Sequence, residues 1–208
     1  MTLTRRARQS DGLTEGSRAR HGGIRGEQQQ RTAWGLWRIV VWGGAAALLL
    51  VPLMAMQFTD EVQWTGSDFA IFGAMLAVPL GVLELAVRAT GSMAYRAAVA
   101  VALGAAFLMT WANLAVGIIG SEDNPLNLMF FGVLAVGIVG AFMARFQPRG
   151  MARALVAMGV AQVLVAAAAL IGGHFTVVLT GFFVAAWLMS AWLFRTAAED
   201  QVAARTTG

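Results

Sequence analysis

Between Arg153 and Arg195 lie 41 residues without one charged side chain, broken only by Gly172-Gly173-His174. A helix needs about 20 residues, at about 1.5 Å each, to cross the hydrocarbon of a bilayer. The interval therefore holds two membrane spans and a tight turn. The same measure counts the other helices. There are 21 uncharged residues between Arg38 and Asp60, 25 between Arg96 and Glu122, and 21 between Asp123 and Arg145, one span each. A sixth span, from Asp68 to Arg88, carries Glu84 one turn before its basic end.

Composition agrees with that count. At 58% hydrophobic and 12% charged, with a mean hydropathy of +0.67, the chain is too apolar for a soluble domain and matches a polytopic membrane protein. The net charge of +4 is no sign of nucleic-acid binding once it is located: seven of the 15 arginines fall in residues 1–36, and the remaining eight balance eight acids. Cysteine is absent, which removes disulfides, thiolate metal sites and a cysteine nucleophile.

The arginines also orient the chain. With the N-terminus inside, Arg38, Arg88, Arg96, Arg145, Arg149, Arg153, Arg195 and Arg205 all fall on the cytoplasmic side. The outer loops hold Asp60, Glu61, Asp68, Glu122 and Asp123 and no arginine. This is the positive-inside pattern, with Trp34, Trp37, Tyr95 and Trp192 at inner ends and Trp64 at an outer end as interfacial anchors.

The expected layout has a disordered basic cytoplasmic tail over residues 1–33 and a short cytoplasmic tail over 198–208. Between them lies one transmembrane domain, 34–197, with spans near 36–57, 67–88, 96–119, 126–145, 151–172 and 175–195. The fold class is all-α, a bundle of six transmembrane helices. Tyr95-Arg96-Ala97-Ala98-Val99-Ala100 echoes Ala152-Arg153-Ala154-Leu155-Val156-Ala157 at a spacing of 57, and Trp37-Arg38 precedes Tyr95-Arg96 by 58. The echo points to three tandem hairpins, although arginines flanking similar apolar helices produce such echoes by themselves.

Polar residues inside the spans are the candidates for function, because hydrocarbon makes them costly. On the third helix Ala102, Ala106, Thr110, Asn113 and Gly117 form one small-to-polar stripe, and on the fifth Gly159, Gln162, Ala166, Ala169 and Gly173 form another. Such stripes let helices approach closely with an amide bonding across the contact, so packing is the plain reading and a solute pathway the sharper one. Glu84 and Arg88 stand i,i+4 in the order that favours a local ion pair over a proton relay. Pro52 and Pro79 interrupt the first two helices, and both kinked gates and plain packing use proline in this way.

The outer face offers a candidate metal set: Asp60, Glu61 and Asp68 from the first loop, Glu122 and Asp123 from the second, and His174 from the third. Solvated acidic loops account for the same residues. With His174 the one histidine outside the tail, bis-histidine haem ligation is ruled out; no metalloprotease, P-loop or nucleophile-elbow motif occurs, and no cofactor is expected.

Trp64-Thr65-Gly66-Ser67-Asp68-Phe69, Ala94-Tyr95-Arg96-Ala97-Ala98-Val99, the run from Gly117 to Pro125 and Phe131-Gly132-Val133-Leu134-Ala135-Val136-Gly137 resemble uncharacterised bacterial multi-pass inner-membrane proteins with a domain of unknown function. The resemblance spans residues 63–195, implies a helical inner-membrane protein and carries over no catalytic residue. The expected function is a non-enzymatic membrane component, an accessory subunit or small-solute permease; the alternative is a membrane-embedded enzyme or metal-binding protein using the outer carboxylates and His174. Expected partners are the lipid bilayer and a membrane protein or second copy, with no nucleic acid.

Overall fold

The structure, a computed structural model, describes residues 36–61, 63–121 and 123–206 of the 208. The expected tail over 1–33, Trp34 and Glu122 lie outside the described residues. Among the described residues the chain is all helical and has no strand. Its helices are α1 (Leu36–Ala55), α2 (Gly66–Ala89), α3 (Met93–Ala115), α4 (Leu128–Met143, entered through a 3-10 turn at Pro125–Asn127), α5 (Pro148–Ile171) and α6 (Val177–Thr206). Each of the six, counting the 3-10 turn with α4, is long and apolar enough to cross a membrane. Large apolar side chains such as Leu85, Ile138 and Val178 are exposed, as lipid-facing residues are and as a soluble surface avoids.

Helix ends follow local chemistry. Thr65 donates both its backbone N–H and its hydroxyl to Asp68 Oδ2, each at 2.7 Å, closing the first turn of α2. Ser92 Oγ accepts the Tyr95 N–H at 3.3 Å and starts α3. The Arg96 guanidinium donates to the Val87 and Thr90 carbonyls at 2.6–2.9 Å, capping the last turn of α2. Pro148 opens α5 where its missing N–H costs nothing.

Three boundaries depart from expectation. Helix α3 stops at Ala115, short of 119, because the chain turns at Gly117 and Gly120, whose φ of 71° and 73° suits glycine. Helix α6 runs on past 195 to Thr206, so most of the expected tail over 198–208 is helix. At about 1.5 Å per residue its 30 residues exceed the roughly 30 Å of hydrocarbon, and the end bearing Arg195, Glu199, Asp200 and Arg205 extends beyond it. Finally, the single domain expected over 34–197 is divided: the chain forms two compact units that part within α2, Met1–Gly73 and Ala74–Gly208. Among the described residues of α1, Ala45 and Pro52 are buried.

In the first unit, Gly73 lets the Leu49 methyls approach to 3.9 Å of where a Cβ would stand, and Trp64 meets Phe69 and Phe72 edge-on at 5.2 and 5.4 Å. The second unit holds the core. Helices α5 and α6 pack along their length, α3 packs on α6, and α4 packs on α5, whereas α3 and α4 touch little. Met109, Phe130, Phe183, Trp187 and Phe194 are wholly enclosed there. The α4–α5 contact is close because it is built on glycine. A Cβ on Gly140 would stand 2.6 Å from Ala154 Cβ, one on Gly150 would stand 2.5 Å from Ala144 Cβ, and one on Gly137 would strike Met158 Sδ.

Candidate functional site

The buried face of α6 continues back to the residue before it: Thr176, Thr180, Phe183, Trp187, Ser190, Phe194 and Ala197 recur at alternating steps of four and three. That spacing keeps one seam turned toward the neighbouring helices. Polar groups therefore enter the interior at four levels. Near the arginine-bearing end the seam is satisfied: Ser190 Oγ donates to the Ala98 carbonyl of α3 at 2.8 Å, and Tyr95 meets Phe194 edge-on at 5.0 Å. These contacts fix α3 antiparallel to α6.

Nearer the opposite end the seam is unsatisfied. Thr176 Oγ1, Thr180 Oγ1 and Trp187 Nε1 have no hydrogen-bond partner, and neither have both amide atoms of Gln162 on α5 and Oδ1 of Asn113 on α3. All five side chains are more than nine-tenths buried, Gln162 and Trp187 completely. A buried polar group left unpaired costs roughly 1–3 kcal/mol. Six such atoms, five on three helices and one on the residue before α6, in a unit whose other buried amide is fully bonded, single out this interior as the candidate site.

That other amide is Asn127. Its Oδ1 accepts the Ile118 and Ile119 N–H groups at 3.1 and 2.8 Å, and its Nδ2 donates to the Ile119 and Ser121 carbonyls at 3.4 and 2.7 Å. Its own carbonyl accepts from Asn113 Nδ2 at 3.1 Å. One side chain thus replaces the hydrogen bonds that α3 gives up when it ends early. The resulting loop closes the end of the unit, with a Cβ at Gly120 standing 3.2 Å from both Asn124 Nδ2 and His174 Cε1.

The residues singled out by sequence are distributed as follows. Asn113 and Gln162 lie in the interior, on the buried faces of α3 and α5. Thr110 does not join them: it is half-buried, and its hydroxyl donates to the Ala106 carbonyl of its own helix at 2.8 Å. Gly117 lies beyond the end of α3. Glu84 and Arg88 form an ion pair along α2, with Glu84 the less exposed partner. Asp60 and Glu61 are exposed, Asp68 is engaged by Thr65, Asp123 is exposed and His174 is half-buried. Among the described residues, no group of three or more His, Asp or Glu is placed to hold a metal ion. Thr176, Thr180, Trp187 and Asn127 escape the sequence reading; the four-three spacing through α6 is the signal that could have found the first three.

At the arginine-bearing end, Tyr95 Oη donates to the Phe146 carbonyl at 2.9 Å. That bond holds a turn in which Arg145 and Phe146, neither of them glycine, have φ of 48° and 58°.

No family model, curated protein or solved structure matches the chain.

Proposed function

We propose that the chain is a non-enzymatic multi-pass component of the bacterial inner membrane, with both termini cytoplasmic, and that it acts as a permease for a small uncharged polar solute. The observation that carries the permease reading is the buried series Asn113, Thr176, Thr180, Gln162 and Trp187, each of which leaves at least one side-chain polar atom without a partner inside the protein. Groups of this kind inside a membrane protein belong with cavities, solute paths or close helix contacts. Close contact alone is the weaker account, since contact should have paired the amide and hydroxyls. The buried polar residues described are all Asn, Gln, Thr or Ser, so the interior suits a neutral solute rather than an ion.

An accessory subunit would need a partner-binding surface, and the exposed apolar side chains supply one, but lipid accounts for that surface equally well. The arginine distribution supports the orientation, and the bacterial location is what the resemblance proposed for residues 63–195 would imply. The test has two parts. Reporter fusions after residues 60 and 174 should score periplasmic and fusions after 91, 148 and 205 cytoplasmic; one reversal overturns the orientation. Proteoliposomes of the full chain should re-swell after an osmotic step in glycerol or urea faster than protein-free vesicles. Re-swelling no faster than in protein-free vesicles, in glycerol and in urea alike, would overturn the permease reading in favour of an accessory subunit.

A further inference from the structure

We propose that Gln162, Thr180 and Trp187 form an internal binding site for one small uncharged molecule that both donates and accepts hydrogen bonds: water, or an alcohol or amide of similar size. The inference deepens the permease reading by naming the residues and the ligand class.

Register brings the three together. Helices α5 and α6 run antiparallel from the turn at Gly172-Gly173, and Leu188 Cδ2 stands 3.8 Å from where a Cβ on Gly159 would be. Moving three residues along each helix sets Gln162 level with residue 185. Trp187 then lies about 3 Å to one side along the axis and Thr180 about 7.5 Å to the other, at about 1.5 Å per residue. A glutamine side chain reaches into that interval.

Their hydrogen bonding marks them as a site rather than as packing. Threonine in a membrane helix commonly turns its hydroxyl back to the carbonyl four residues earlier. Thr110 does so to Ala106 at 2.8 Å and Thr196 to Trp192 at 3.2 Å. Thr180 does not, although its backbone N–H meets the Thr176 carbonyl at 2.9 Å and the same carbonyl is one turn away. Likewise Gln162 Oε1 is an acceptor and Trp187 Nε1 a donor, and both remain without a partner. Together the three side chains offer donors from the indole, the amide and the hydroxyl, and acceptors from the amide and the hydroxyl. A ligand with one donor and one acceptor satisfies groups on both helices. No described buried residue is charged, so an ion would find no compensating charge there. Toward the acidic-loop end the partnerless Thr176 hydroxyl and Asn113 Oδ1 continue the polar series.

The full chain in detergent, with 15N-labelled tryptophan, provides the test. Up to seven indole signals are expected, and Trp187→Phe assigns the one of interest. The expected result is a Trp187 indole proton that exchanges with D2O in minutes and shows a cross-peak to water, or shifts on titration with glycerol. Gln162→Leu and the isosteric Thr180→Val should each slow that exchange at least about tenfold, since exchange then waits on local opening, whereas Thr110→Val should leave it unchanged. A water cross-peak without a glycerol shift identifies water as the ligand; a glycerol shift identifies a solute. A Trp187 indole protected for hours, without cross-peak or shift, overturns the site. Because binding is read in detergent and permeation in vesicles, a filled site with no permeation overturns only the permease reading, and permeation with a protected indole overturns only the site.

Discussion

Substituting Gly140 with alanine tests how the second unit is held together. The added Cβ would stand 2.6 Å from Ala154 Cβ and 3.3 Å from Ala154 Cα. Carbon atoms rest about 3.5–4.0 Å apart, so α4 and α5 would have to separate by about 1 Å, and no rotamer change relieves a backbone-anchored methyl. Overpacking of this kind costs roughly 1–3 kcal/mol. The gain in helix propensity from Gly to Ala, up to about 1 kcal/mol, offsets part of it. A net loss of about 1–2 kcal/mol is expected in reversible denaturation of the purified protein in mixed micelles. Gly137→Ala is the internal control. Its Cβ meets Sδ, Cε and Cγ of Met158, a chain with three rotatable bonds that can swing aside, and its loss should stay under about 1 kcal/mol. Adding Ala154→Gly to Gly140→Ala removes the closer of the two contacts and should restore most of the stability. If Gly140→Ala is as stable as the parent, or the second substitution restores nothing, the close α4–α5 contact is not what holds these helices together.

Asn127→Ala should cost on the order of 3 kcal/mol in the same assay, because it leaves the buried Ile118 and Ile119 N–H groups without their acceptor; a loss under about 1 kcal/mol would show that water reaches this loop. Tyr95→Phe keeps the edge contact with Phe194 and removes only the bond to the Phe146 carbonyl. It should cost about 0.5–1.5 kcal/mol and raise protease cleavage after Arg145, the two changes appearing together; unchanged cleavage would show that the turn keeps its left-handed backbone unaided.

The membrane spans were legible because hydrocarbon imposes one requirement, about 20 consecutive uncharged residues, on every helix alike. Which face of a span turns inward was less so, and α3 shows why. Following polarity places Ala102, Ala106, Thr110 and Asn113 on one stripe, but the enclosed residues are Ala98, Val99, Ala105, Met109 and Asn113. At the level of Thr110 the interior takes Met109 instead, which is as apolar as the exposed residues beside it, while the Thr110 hydroxyl is satisfied by its own helix and needs no interior. In a soluble helix water would mark the outer face; in lipid both faces are apolar, and only packing chooses between them. Gln162 was found because an amide has no such local escape. Thr180 and Trp187 were missed for the complementary reason: threonine can hide its hydroxyl and tryptophan suits membrane interfaces, so neither residue type announces a partnerless polar atom. Their polar atoms stand out only once the helices are packed, when both residues, like Gln162, are buried without a hydrogen-bond partner. The candidate site is thus a property of helix alignment, to which each helix contributes one or two ordinary residues.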